Sequence, residues 1–153
     1  MWNGKLKKML EFSSKMGLGQ HKIAQRLGYS KGAIRKWSSA PMVEDERQFH
    51  CEELVPLIEY MLTVRNATWD ANKNEAVPDK QDELARLIRL SRDCGFSIMD
   101  LSYELGSNPE SLYNWLHKKY KCRDVGFFID LVYASTEKLI RQRDEAWAKI
   151  KGE

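Results

Sequence analysis

Residues 20–37 read QHKIAQRLGYSKGAIRKW, a pattern of two short helices joined by a tight turn. Ile23 and Leu27, four residues apart, put an apolar edge on the first helix. Ala24 is small, which lets the second helix cross close to it. Gly28 suits the turn, because a side chain there would clash or require a positive φ. The pattern therefore predicts a helix, a turn and a second helix.

The second helix of this stretch has two different faces. Ser30 is suited to cap its first turn, since a serine oxygen accepts a backbone N–H at that position, and Tyr29 is expected to cover the small core. Ile34 and Trp37, three residues apart, belong to the inner face. The outer face carries basic, small and polar residues, namely Lys31, Gly32, Arg35, Lys36 and Ser39.

These residues resemble the helix-turn-helix motif of DNA-binding proteins, and the turn 27–30 also resembles the DNA-binding modules of phage small terminase subunits and transposases. In helix-turn-helix proteins the second helix lies in the major groove. The resemblance implies that its outer face contacts guanine edges or phosphates and that Gly32 permits close approach. Gln20, His21 and Lys22 on the first helix become candidate phosphate contacts, although an exposed polar face explains them equally well.

The chain aligns with itself without a gap when it is shifted by 78 residues, so that residues 1–75 lie over 79–153. Twelve of these 75 positions are identical, and four of the five tryptophans form the pairs Trp37/Trp115 and Trp69/Trp147. We interpret the chain as a tandem duplication with a polar linker between the repeats. The predicted domains are two helix-turn-helix units, the first copy at 1–75 and the second copy at 79–153.

The second copy keeps the skeleton of the motif between Ile98 and Trp115 but changes its outer face. Pro109 suits the first helical turn after an Asn108 cap. Glu110 lies on the presented face and mildly favours a protein-binding role, so DNA binding and protein binding both stay open for this copy. The candidate DNA contacts are Asn108, Ser111, Tyr113, Asn114, His117, Lys118 and Lys119.

The net charge of +3 conceals an uneven distribution along the chain. Residues 1–40 carry nine basic residues and one acidic residue, a net charge of +8, whereas residues 41–80 carry four basic and nine acidic residues, a net charge of −5. The net charge is −3 over 81–117 and +3 over 118–153. The first segment suits a polyanionic partner, although a solvated basic helix explains its charge equally well.

Apolar periodicity predicts further helices around each motif. One helix precedes each motif and ends at Gly17 or Gly95. A longer helix follows each motif, at 49–69 and 127–150, where a strand at the start of the second segment is the less favoured alternative. Pro56 should begin the first long helix or kink it. The predicted fold class is all-α, with two homologous units that each combine a helix-turn-helix and a long C-terminal helix.

Composition bounds the class of protein. The 153 residues are 42% hydrophobic and 31% charged, a soluble globular balance that excludes collagen-like and disordered chains. No apolar run reaches the roughly 20 residues of a membrane helix, and no secretory signal is expected. Cys51, Cys94 and Cys122 form no Cys-x-x-Cys pair, so we expect reduced thiols in a cytoplasmic protein.

The sequence contains no motif that indicates an enzyme or a cofactor site. It contains no phosphate-binding glycine loop, nucleophile elbow or zinc-protease helix, and its acidic residues are too evenly spread for a nuclease. His50 and Cys51 lack a second pair at ligand spacing, so no metal is expected. Trp69 and Trp147 could stack on bases, but their matched positions favour packing.

The sequence thus predicts a sequence-specific double-stranded DNA-binding protein, a small transcriptional regulator of phage or mobile-element type that represses by occupying an operator. The alternative is an adaptor for packaging or recombination, with one DNA-binding copy and one protein-binding copy. A scaffold without DNA is a third hypothesis. The two unlike outer faces predict two unlike half-sites. Repressors with one motif per chain usually dimerise, and the two motifs of this chain depart from that pattern, so a homodimer stays open and is not assumed.

Overall fold

The computed structural model describes residues 2–39 and 41–153, apart from the side chains of Asn3 and Lys31. These residues form eight α-helices and no strand, which confirms the all-α prediction. In chain order the helices are α1 (Trp2–Lys15), α2 (Gln20–Leu27), α3 (Lys31–Ser39), α4 (Glu44–Asn72), α5 (Lys80–Asp93), α6 (Ile98–Leu105), α7 (Pro109–Leu116) and α8 (Val125–Gly152).

The order and lengths of α1–α4 are repeated in α5–α8. Both α1 and α5 have 14 residues, both α2 and α6 have 8, and the long helices α4 and α8 have 29 and 28. A long helix therefore follows each motif, as predicted. The segment 127–133 is helical, so the strand alternative is wrong.

Glycines end the first helix of each copy, as predicted. Gly17 and Gly95 have φ values of 88° and 100°, in the left-handed region that favours glycine. Beyond Gly17, the backbone N–H of Leu18 donates to the carbonyl of Ser13 at 2.9 Å. Such a bond satisfies a carbonyl that the end of the helix would leave without a partner.

Pro56 lies inside α4, so the predicted helix start near this residue is wrong. The helix begins at Glu44, and its first turn is acidic, which suits the positive end of the helix dipole. An internal proline costs about 3 kcal/mol, because it removes one backbone hydrogen bond. Burial of apolar side chains along one face of α4 offsets this cost, at Cys51, Leu54, Ile58 and Leu62.

The chain forms two compact units whose bounds differ from the predicted domains 1–75 and 79–153. The first unit comprises Met1–Leu62 and Asp144–Glu153, and the second unit comprises Thr63–Arg143. The difference arises because the last turns of each long helix belong to the unit built mainly from the other copy. Trp147 is accordingly buried in the core of the first unit and Trp69 in the core of the second.

Each unit has its own apolar core, and the structural positions of the motif lie in it. The first core includes Leu6, Met9, Ile23, Ala24, Ile34, Trp37, Leu54, Ile58 and Trp147. The second includes Trp69, Leu84, Leu87, Ile88, Leu101, Leu112 and Val132. The tryptophans Trp69 and Trp147 are only 1% and 5% exposed, so packing is their role in the fold.

The three cysteines are buried and form no disulfide. Burial raises the pKa of Cys51 and of Cys94 to about 11, so both thiols are neutral at pH 7. Cys94 is part of the second core, at the position where the first copy has Met16. Among the described residues, no three His, Cys, Asp or Glu side chains group as a metal site. Over the same residues, no helix has the length and apolar character needed to span a membrane.

Candidate nucleic-acid interface

The turn between α2 and α3 depends on the backbone of Gly28. Its φ is 79°, and the N–H of the following residue, Tyr29, donates to the carbonyl of Ala24 at 2.9 Å. A Cβ atom at Gly28 would meet no atom within 4 Å. Of the two reasons given for this glycine, the positive φ therefore holds and the clash does not. Gly106 repeats the conformation in the second unit, with a φ of 67°.

The two faces of α3 are separated as predicted. Ile34 and Trp37 are buried, at 0% and 4% exposure, and fix the inner face against the first core. No acidic residue occurs in α3. The predicted contacts on the outer face, Gly32, Arg35, Lys36 and Ser39, are exposed. Lys31 begins the helix, and its side chain lies outside the described residues.

An aromatic and acidic cluster attaches α3 to α4. The indole of Trp37 stacks on the imidazole of His50, with ring centroids 3.9 Å apart and an interplanar angle of 19°. The Tyr29 and Trp37 rings form a T-shaped pair with centroids 5.2 Å apart. Glu53 joins the cluster, because its Oε1 accepts the Tyr29 hydroxyl at 2.7 Å and lies 2.9 Å from His50 Nδ1. The cluster therefore orients both the turn and the second motif helix.

Sequence reasoning missed His50 and Glu53 as positioning residues. It considered His50 only as a metal ligand. The available signal was their spacing of three residues on a helix, which places both side chains on one face. That spacing does not reveal which face of α4 meets the motif.

Burial, together with the hydrogen bond to Glu53 and the charge of that carboxylate, raises the pKa of Tyr29 to about 12. The protonated phenol is the form that donates this bond, so the stabilisation is complete below the unfolded pKa of about 10 and is lost as the pH rises through 12. We expect the absorbance difference between the native chain and Tyr29→Phe to titrate near pH 12, when it is read after a rapid pH jump that precedes unfolding. A midpoint near pH 10 would show that the bond does not form.

The remaining first-copy candidates also lie on the surface. Gln20, His21 and Lys22 are exposed along α2, and Lys22 Nζ donates to the carbonyl of Gly17 at 3.2 Å. Ser30 is exposed, and its carbonyl accepts the N–H of the third residue of the motif helix. These four residues therefore lie at the surface of the first unit.

The second motif helix begins as predicted. Asn108 caps α7, with Oδ1 accepting the N–H of Glu110 at 2.8 Å, and Pro109 occupies the first turn. Leu112 is completely buried and anchors the inner face. Ser111 and Asn114 are half-buried. The second copy therefore reproduces the frame of the motif.

Side chains on and just beyond the outer face of α7 make more contacts within their own unit than those on the outer face of α3. Tyr113 and His117 are exposed, and their ring centroids lie 4.3 Å apart. Lys119 Nζ lies 5.1 Å from the centre of the Tyr113 ring, a cation–π contact. Lys118 Nζ lies 2.6 Å from Asp82 Oδ1. Two of the cations predicted to contact DNA thus already have partners within the second unit.

A further difference lies on α6, the first motif helix of the second copy. Met99 and Tyr103, one helical turn apart, expose 64% and 88% of their surfaces. The equivalent residues of the first copy are the polar His21 and Gln25. Sequence reasoning did not single out this pair, although two apolar residues at polar positions of the repeat were the signal.

Comparison with protein-family models, curated proteins and solved structures finds no match to this chain.

Proposed function

We propose that the chain binds double-stranded DNA sequence-specifically through α3 of the first unit. The observation that supports this most directly is the division of α3 into two faces. Ile34 and Trp37 are buried in the core, while Arg35 and Lys36 are exposed on a helix without an acidic residue. In the part of the chain that the structure describes, no carboxylate pairs with either cation.

Three exposed residues of α3 have specific roles in this proposal. Arg35 reads a guanine, because its planar guanidinium donates to O6 and N7 together. Lys36 neutralises a phosphate, and Gly32 lets the helix backbone approach the groove. The net charge of +8 over residues 1–40 attracts the DNA at long range. Occupancy of an operator by this unit would repress transcription.

We also propose that the two copies arose by duplication, and matching contacts support this. In the first unit Glu59 Oε2 lies 3.5 Å from Trp147 Nε1 and 2.9 Å from Lys151 Nζ. In the second unit Glu137 Oε2 lies 3.5 Å from both Trp69 Nε1 and Lys73 Nζ. All three residue types correspond under the shift of 78 residues.

The adaptor function is the second candidate, and the second unit favours it. Glu110 is exposed on α7, Lys118 pairs with Asp82, and α6 presents the apolar pair Met99 and Tyr103. A duplex is a poor partner for such a surface, because an apolar side chain gains little from a phosphate backbone. In this version the first unit binds DNA and the second binds a protein.

Selection from a random duplex pool followed by gel shift tests the proposal. We expect the chain to enrich a common sequence and to bind it more weakly as salt rises, since phosphate contacts release counterions. Failure to retard any duplex at low salt would reject DNA binding and leave the scaffold hypothesis. On the selected duplex, a Tyr113→Ala/Asn114→Ala variant that loses one half of the footprint would favour two DNA-binding units. Full retention of the footprint would favour the adaptor.

A further inference from the structure

In the first unit, α4 carries a line of exposed apolar side chains. Phe49 and Tyr60 expose 57% and 58% of their surfaces, and Pro56 between them is also exposed. At about 100° per residue, these three positions point within roughly 40° of one direction. We call them the α4 ridge. The opposite face of the same helix is buried in the first core through Cys51, Leu54, Ile58 and Leu62.

At Tyr60 the fold does not require an apolar side chain. A helix that is buried on one face normally presents polar residues on the other. At the position equivalent to Tyr60, the second copy has Lys138, which lies 3.1 Å from Glu104. A charged side chain is therefore tolerated at this place on the long helix. The exposed aromatic ring at Tyr60 calls for another explanation, and contact with a partner is the simplest one.

Acidic residues border the α4 ridge on both sides. Asp45, Glu46 and Glu52 are exposed, and the one basic residue between positions 41 and 62, Arg47, is buried with its Nε donating to the carbonyl of Met42. Such a border repels a nucleic acid or an anionic membrane. It also disfavours a second copy of the same ridge, because like charges would meet. A surface with Lys or Arg beside apolar residues is the complementary one.

We propose that the α4 ridge docks an amphipathic helix of another protein, one with Lys or Arg flanking an apolar stripe. Phe49 and Tyr60 pack into that stripe, and aromatic side chains of this kind often dominate the binding energy of an interface. The two rings are 11 residues apart, about 16 Å along the helix, so three turns of the partner suffice. The proposal is independent of DNA binding through α3.

Fluorescence anisotropy with the full chain tests this docking. The probe is a labelled synthetic helix of Leu and Lys at amphipathic spacing, and the comparison peptide has Glu in place of every Lys. We expect the Leu/Lys peptide to bind and the Leu/Glu peptide not to bind. A Phe49→Ala/Tyr60→Ala variant should bind at least roughly tenfold more weakly. Glu46→Gln/Glu52→Gln should weaken binding and reduce its dependence on salt.

The matched control is Phe127→Ala, which removes the equivalent Phe from the second copy, 62% exposed, and should leave peptide affinity unchanged. All substituted side chains are exposed, and circular dichroism melts verify the fold. Equal binding of both peptides, or equal affinity of the double variant and the native chain, would overturn the proposal. So would a self-association in sedimentation velocity that Phe49→Ala/Tyr60→Ala abolishes, because the occupant would then be a second copy. Duplex affinity should be unchanged in Tyr60→Ala. The other first-unit variants are not compared for duplex binding, because the Phe49 and His50 ring centroids lie 5.7 Å apart and Glu46 lines the same cleft as Lys36.

Discussion

Replacing Trp147 by alanine is expected to destabilise the first unit strongly, although this residue lies 110 positions beyond Trp37 in the chain. Its indole is 5% exposed, belongs to the first core and meets the Phe12 ring at 5.4 Å. Truncation of a buried Trp to Ala costs about 3–5 kcal/mol, a large part of the stability of a small domain. Amide hydrogen exchange should show α1–α3 losing protection first.

Trp69→Ala is the matched control, since it removes the same side chain from the second core. Protection should then fall first in α5–α7. If Trp147→Ala instead lowers protection first in α5–α7, the result would support the sequence halves 1–75 and 79–153 as the folding units. It would contradict the two compact units of the structure. The pair of variants therefore separates the two descriptions of the domains.

The Arg35→Ala/Lys36→Ala variant is expected to lose most of the affinity of the chain for its selected duplex. A bidentate arginine–guanine contact contributes about 1–3 kcal/mol of discrimination, and a lysine–phosphate contact adds a salt-dependent contribution. Arg35→Ala alone should relax the sequence preference at one base pair. Lys36→Ala alone should weaken binding to all sequences and reduce the salt slope by about 1. Gel shifts at several salt concentrations measure all three effects.

Both side chains are exposed, so the fold should survive these substitutions. The paired control is Lys7→Ala/Lys15→Ala, which removes two exposed cations of α1 with the same net change in charge. This control should cost less affinity and leave the sequence preference intact. Unchanged binding by a folded Arg35→Ala/Lys36→Ala variant would reject α3 as the DNA-contacting helix.

Local sequence rules correctly predicted where the shorter helices end. The glycines at positions 17, 28, 95 and 106 mark helix ends, because each adopts a positive φ that other residues rarely take. Pro56 misled the same reasoning, since the proline rule weighs one lost hydrogen bond and not the long buried face of α4. The expectation that α4 begins near Pro56 therefore placed the start of the helix too late.

The sequence pattern could not show that the last turns of each long helix belong to the unit built mainly from the other copy. Glu59 and Trp69 lie ten residues apart on one helix, about 15 Å, so each needs its hydrogen-bond partner from the other long helix. Both copies contain the same Glu, Trp and Lys, so an alignment of the copies carries no information on which helix supplies the partner. Tertiary packing determines this.

The candidate interface also combines features that the sequence could predict with features that it could not. The exposure of Arg35 and the burial of Trp37 follow from helical periodicity, so they were predictable. The contact of Tyr29 with Glu53 depends on how α4 crosses the motif, and the ion pair of Lys118 with Asp82 joins residues 36 positions apart. Periodicity within one helix cannot predict such pairs.

Methylation interference on the selected duplex is the most direct test of whether α3 reads the major groove. Dimethyl sulfate modifies guanine at N7 in the major groove and adenine at N3 in the minor groove. We predict that N7 methylation of specific guanines blocks binding of the native chain, and that Arg35→Ala becomes insensitive at one of them. Interference confined to adenine N3, or a guanine pattern that Arg35→Ala leaves unchanged, would contradict the placement of α3 in the major groove.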